Sequence, residues 1–163
     1  MNRSRTAWID RLEQSGKDYL RYVSRLSDSQ IHDVPAPGEW SMHQVVAHVR
    51  DTERYVFLER VRRILKETHP AVENFDQDVW NRDHYDPSEP FKKIVADFRV
   101  SRRKLVSLLR KSKEKDWENW AMHSEYRKIT IDWLVMHDYH HTLEHTAQIG
   151  YLNEKALLKN LNS

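Results

Sequence analysis

The chain has 163 residues and a mass of 19.7 kDa, room for one domain and little more. Its 27 Lys and Arg stand against 25 Asp and Glu, a net charge of +2, which excludes both the self-repulsion of a disordered chain and the strong basicity of a nucleic-acid binder. The absence of Cys removes disulfides, thiolate zinc sites and a cysteine nucleophile together, and leaves nitrogen and oxygen as the metal donors.

The opening residues, MNRSRTAWIDRL, carry charge but no apolar run of the signal-peptide kind. No segment approaches the ~20 apolar residues that span a bilayer, so the expectation is a cytoplasmic protein without a membrane partner. Trp8, Leu12, Tyr19, Val23 and Leu26 recur at helical spacing and predict helix one, in which Gly16 is an interior weakness of ~1 kcal/mol relative to Ala. After IHDVPAPGEW, Ser41 and Gln44 have the form of a capping box, which predicts helix two from about Met42 to Lys66. The stretch from Thr68 to Pro87 has no clear period yet carries Phe75, Trp80 and Tyr85, and is expected to be an ordered crossover packed on the bundle. Ser88 caps a third helix with Pro90 in its first turn, and the stripe Phe91, Ile94, Val95, Phe98, Leu105, Leu108 and Leu109 carries that helix to about Lys113. A connector with Trp117, Trp120 and His123 leads to Thr130, a cap for helix four, which should reach Tyr151 with a short helical tail from Glu154. No strand pattern and no internal repeat is visible. The fold class is all-α, a four-helix bundle with a longer connection between helices two and three, in a single domain over residues 1–163.

Ten His residues are the anomaly. In MHDYHHTLEHTAQIG, His137, His141 and His145 follow one another at four-residue steps and share a helix face. His137 and His145 lie ~12 Å apart along the axis, too far to ligate one ion together, so His141 belongs to whichever pair binds. Helical phase, set by Ile131, Leu134, Val135, Thr142, Ile149 and Leu152, favours His141 with His145; His140 points toward solvent. A third donor is supplied by His48 on helix two, which flanks the stripe Val45, Val49, Thr52 and Val56, whereas His43 lies near the exposed start of that helix. Asp138 also faces inward, where it either orients a ligating imidazole or makes an ion pair; phase assigns no role to Asp51 or Glu53.

The ordinary readings are weighed beside these. An HxxxH spacing arises often by chance in a chain this rich in His, and two overlapping spacings gain force only from His48 on a second helix. His32, His69 and His84 sit in polar segments and read as solvated. His123, between Trp120 and Tyr126, is either a connector contact or a pocket residue and is grouped with the ordinary ones. Trp8 and Tyr19 read as core. Trp40, Trp80, Trp117 and Trp120 fall near helix ends, where they either roof a pocket or simply pack. The basic clusters RVRRILK and SRRKLVSLLRKSKEK are interrupted by apolar core positions and read as solvated helix faces, so nucleic acid is not expected as a partner.

These segments together resemble the DinB/YfiT-like superfamily of small helical-bundle metalloproteins. PAPGEW leading into VVAHVRDTERYVFLERVRRIL is similar to that family's first histidine helix, HTLEHTAQIGYL to its last and DFRVSRRKLVSLL to its third, over about Pro35 to Leu152. The resemblance implies ligands at His48, His141 and His145, the same three that phase favours. It also implies a divalent metal (nickel, zinc or manganese), a homodimer, and either metal-dependent hydrolysis or thiol-dependent transfer on a small-molecule substrate, with a low-molecular-weight thiol as cosubstrate in the second case. Tyr126 and Arg127 stand where the family often has a small residue before the last helix. Asp51, Glu53 and Asp138 are the candidates for a general base or for carboxylates that orient the ligands. The rival expectation is a noncatalytic bundle whose aromatic ends form a ligand or partner surface.

Overall fold

The Ser41 hydroxyl accepts the backbone N–H of Gln44 at 3.2 Å, and the Gln44 side-chain oxygen accepts that of Ser41 at 3.0 Å, so the expected capping box starts a helix at Met42. In the computed structural model, which describes residues 3–161, the helices are α1 (Arg3–Val23), α2 (Met42–Asp51), α3 (Leu58–Lys66), α4 (Gln77–His84), α5 (Phe91–Lys111) and α6 (Ile131–Leu161). A π-helical turn over Thr52–Phe57 joins α2 to α3 without a break, the Leu58 N–H reaching five residues back to the Glu53 carbonyl. The bundle therefore has four rods: α1, α2–α3, α5 and α6. α1 and α2 each pack against both α5 and α6, which places them on opposite corners.

Four features depart from the sequence expectation. α5 begins at Phe91 with Pro90 as its N-cap and no side-chain cap, because the Ser88 hydroxyl donates to Asp86 Oδ1 at 2.6 Å instead. α6 runs unbroken to Leu161, so the helical tail expected from Glu154 is part of the same helix, because Leu152 and Ala156 continue the stripe and join the apolar cluster of Met42 and Val45. The crossover holds α4, capped by Asp76, whose side chain accepts the N–H groups of Asp78 and Val79. The connectors also form a sheet in the order β1 (Ala71–Val72), β2 (Trp120–His123), β3 (Arg127–Thr130), the first pair parallel and the second antiparallel, with Val72 and Arg127 both opposite His123. Strands of two to four residues are too short for alternation to show. At the β2–β3 turn Arg127 has φ 63°, the left-handed conformation that a residue without Cβ takes most readily.

The core has two apolar clusters separated by a polar layer. Each rod passes from one cluster to the other at a polar or small residue. α1 crosses at Ser15 and Gly16 between Leu12 and Tyr19, and the π-helical turn at Glu53 between Val49 and Phe57. α5 crosses at Arg102 between Phe98 and Leu105, and α6 at Asp138 and Thr142 between Val135 and Ile149. Arg102, 3% exposed, donates Nε and Nη2 to the two oxygens of Glu53 at 3.0 and 2.7 Å. It also reaches Asp138 Oδ1 at 2.7 Å, Thr142 Oγ1 at 2.8 Å and the Leu12 carbonyl at 3.0 Å. Gly16 belongs to this layer: a Cβ there would meet Arg102 Cγ at 3.0 Å. The glycine read as a weakness in helix one is the space in which that guanidinium lies.

Candidate metal centre

His48 lies in the last turn of α2, and His141 and His145 lie one turn apart on α6. The packing of α2 on α6 brings them together. His48 Nε2 is 3.1 Å from His141 Nε2, and one ligand nitrogen from each ring lies within 4.8 Å of the other two. The π turn shapes this face. In a straight helix Phe57, nine residues after His48, would point ~180° away; the extra residue of the turn is worth ~100° and swings it back. The Phe57 ring accordingly sits 5.5 Å from His141 and 5.8 Å from His137.

The donor chemistry fits a divalent ion. Two imidazole nitrogens that share one ion at about 2.0–2.1 Å each sit roughly 3.0–3.4 Å apart, and the His48–His141 separation falls in that range. His145 Nδ1 is 2.7 Å from Gln148 Oε1; an amide oxygen only accepts, so Nδ1 carries the proton and Nε2 keeps its lone pair. Burial holds all three rings in the neutral form that ligates. It pushes His48 down to about 3, helped by His145. His141 falls well below the usual range through burial and then its histidine neighbours, and His145 is lowered by burial against the opposing pull of Gln148.

The sequence candidates divide clearly. His48, His141 and His145 converge; His137, one turn before His141, stays outside that group and stacks on Trp133 with ring centroids 4.6 Å apart. Glu53 and Asp138 spend their carboxyls on Arg102, so of the two readings of Asp138 the ion pair is the one observed. Asp51 accepts the Trp80 indole N–H at 3.0 Å, tying α4 to the end of α2. His43, expected at an exposed helix start, is fully buried, with Nδ1 2.9 Å from the Tyr85 hydroxyl and Nε2 2.9 Å from the Glu89 carbonyl, because the connector before α5 folds over it. His32, His69 and His84 are exposed, and each stacks on a neighbouring ring. His123 is the residue the sequence reading undervalued: it is 1% exposed and lines a cavity with His48 and His141. Its only signal was its place between Trp120 and Tyr126. Of the four flagged tryptophans, Trp117 is core, Trp80 and Trp120 pair with His84 and His69, and Trp40 stands 5.3 Å from His48.

His141 borders two cavities, one shared with His145 and the other with His48. An open one of about 660 Å³ is bounded by Trp40, Gln77, Tyr151 and the edges of His141 and His145. A smaller one of about 240 Å³ lies on the other side, between His48, His141, His137 and the sheet.

Comparison with known proteins agrees with this architecture. Residues 11–149 match the DinB superfamily. YuaE of Bacillus subtilis (strain 168), an uncharacterised protein, is 26% identical over 141 residues, covering 80% of this chain and 87% of that one. The Oceanobacillus iheyensis protein named "Putative metal-dependent hydrolase OB0782" is 24% identical over 124 residues, covering 76% and 71%. Among solved structures, YfiT from Bacillus subtilis, described as a probable metal-dependent hydrolase with an unusual four-helix bundle topology, superposes with a TM-score of 0.81 at 22% identity over 95% of this chain and 89% of that one. TT2238, a four-helix bundle protein, follows at 0.64 and 15% identity, covering 90% and 98%. These likenesses establish a four-helix bundle fold.

Proposed function

This chain belongs to the DinB superfamily, and on that premise we propose that it is a metal-dependent hydrolase whose His48, His141 and His145 hold one divalent ion. The observation that carries the reading is the convergence of three neutral imidazoles from two rods, His48 buried and His141 and His145 half-buried, with ligand nitrogens within 4.8 Å of one another. The names of relatives such as OB0782 support it. Three protein ligands leave coordination positions free, the arrangement of catalytic sites, and the two flanking cavities give those positions access. A divalent ion bound there supplies Lewis acidity, polarising a carbonyl and making water a better nucleophile near neutral pH.

The chain supplies the rest. Gln148 fixes the His145 ring so that Nε2 faces the centre. His137 lies on the same cavity wall as His48 and His141, its ring plane held against Trp133, and a ring nitrogen of it is the group that takes a proton from the attacking water and returns it to the leaving group. Phe57, Val56 and Trp133 line that side and keep bulk water from the reacting atoms.

Metal content by inductively coupled plasma mass spectrometry, with wild type beside His141→Ala, tests the ligands, since His141 touches both partner rings. We expect near-stoichiometric nickel, zinc or manganese in wild type and a loss of about tenfold or more in the variant. Ester hydrolysis should follow metal content, and His137→Gln should lower kcat by roughly a hundredfold with the metal retained. Wild-type protein that stays empty after incubation with each ion would leave a noncatalytic ligand-binding bundle as the better reading. Turnover of a thiol with an electrophile but of no ester would replace hydrolysis by thiol transfer.

A further inference from the structure

The smaller cavity beside the triad is lined by two donor groups that no carboxylate among the described residues pairs with. The first is His123. Its Nδ1 accepts the backbone N–H groups of Glu125 at 3.1 Å and Tyr126 at 3.2 Å, so the lone pair is on Nδ1 and the neutral ring carries its proton on Nε2. That Nε2–H is buried and has no hydrogen-bonding partner, a cost that an arriving acceptor would relieve. The second is Arg60, on α3. Its Nη2 is anchored on the Glu73 carbonyl at 2.6 Å, and among the described residues no carboxylate pairs with it. Arg60, His123 and His137 line the same space; burial lowers the proton affinity of all three, and the positive charge of Arg60 lowers the two imidazoles further. The remaining walls are mixed: Phe57, Phe75, Val56 and Trp133 supply an apolar, largely aromatic side and Thr52, Asn74, Gln77 and Tyr126 a polar one, and the volume of about 240 Å³ suits a small molecule.

We propose that this cavity binds the carboxylate of a small acid with an apolar body, Arg60 and His123 Nε2–H donating to its oxygens while the other end of the molecule faces His48 and His141. One unpaired guanidinium and one neutral N–H match the charge and acceptor count of a monoanion, and a planar carboxylate suits the guanidinium fork. The site names a substrate class for the hydrolase: an ester or amide whose acid or leaving part carries a free carboxylate. It rests on that reading for the reacting end alone, since Arg60 and His123 are present with or without an ion.

Binding of benzoate, benzamide and phenyl phosphate to the metal-free protein tests it, by calorimetric titration with the contact residues mapped by NMR. The expected result is benzoate favoured about tenfold or more over the neutral amide, with shifts at His123 and Trp133. Arg60→Gln should remove that preference, and His123→Phe should weaken benzoate several-fold, with unfolding temperature and metal uptake unchanged in both. Equal binding of acid and amide, shifts confined to other surfaces, or an unaltered preference in Arg60→Gln would overturn the proposal, as would phenyl phosphate binding more tightly than benzoate. The wild-type comparison decides the matter even if a variant folds poorly. Metal uptake is read separately, so an empty triad and a failed carboxylate site are distinguishable results.

Discussion

Arg102 brings one positive charge to the middle of the bundle and meets two carboxyls, Glu53 and Asp138, each 1% exposed. Two negative charges on one buried positive would leave an uncompensated charge, which burial penalises heavily. Burial accordingly pushes Glu53 up to about 8 against the lowering pull of Arg102, and it raises Asp138 as well. Asp138 Oδ2 has no donor among ordinary partners, and a protonated Glu53 supplies one. The sign of the pH effect follows. A folded pKa above the unfolded value means the folded protein holds the proton more tightly. This contribution to stability is full below about 4.5 and is lost as pH rises to about 8. Urea unfolding of wild type should weaken by roughly 1–3 kcal/mol relative to Glu53→Gln between pH 5 and 8.5, because the amide cannot ionise. Parallel pH profiles for the two proteins would show that Glu53 does not carry the proton. Of this network the sequence exposed only the inward phase of Asp138. Glu53 sits in the π turn, and helical phase assigned it no role.

At the scale of elements, local rules worked where the signal was local. The capping box of α2 and the stripes of α1 and α5 were legible because each rests on residues three or four apart. The strands escaped because two to four residues cannot display a period, and the π turn escaped because no residue type announces it. Gly16 separates the two kinds of information. Helix propensity alone says that Gly16→Ala should stabilise α1 by ~1 kcal/mol. The close approach of Arg102 opposes that gain: the added methyl meets Arg102 Cγ at 3.0 Å, and a guanidinium tied to Glu53, Asp138, Thr142 and Leu12 has little freedom to retreat. We expect Gly16→Ala to lower stability by about 1–2 kcal/mol in chemical denaturation; a rise would mean that the polar layer is looser than its hydrogen bonds indicate.

For the whole molecule, the triad joins two rods across 93 residues of chain, so an ion held by His48 and His141 binds the folded protein and not a preformed segment of the unfolded one. Free ion at a hundred times its Kd then adds ~2.7 kcal/mol, or roughly 5–10 °C in unfolding temperature for a protein of this size. Thermal unfolding with and without added ion should show that shift in wild type and lose most of it in His141→Ala. No helix among the described residues is long and apolar enough to cross a membrane.

Read alone, the sequence determined the four rods, the capping box of α2 and the pairing of His141 with His145, since each depends on periodicity or a three- or four-residue relation within one helix. It also placed His48 on the side of its helix that meets α6, because that side is marked by the apolar stripe beside it. The tertiary structure alone decided that Arg102 would gather Glu53, Asp138 and the space left by Gly16. It alone brought His123 from the connector sheet and Arg60 from α3 to the same cavity wall. Those meetings join residues 36 to 86 positions apart, or elements too short to carry a pattern, and their distances are set by how the rods pack. No rule of local spacing reaches that far along a chain.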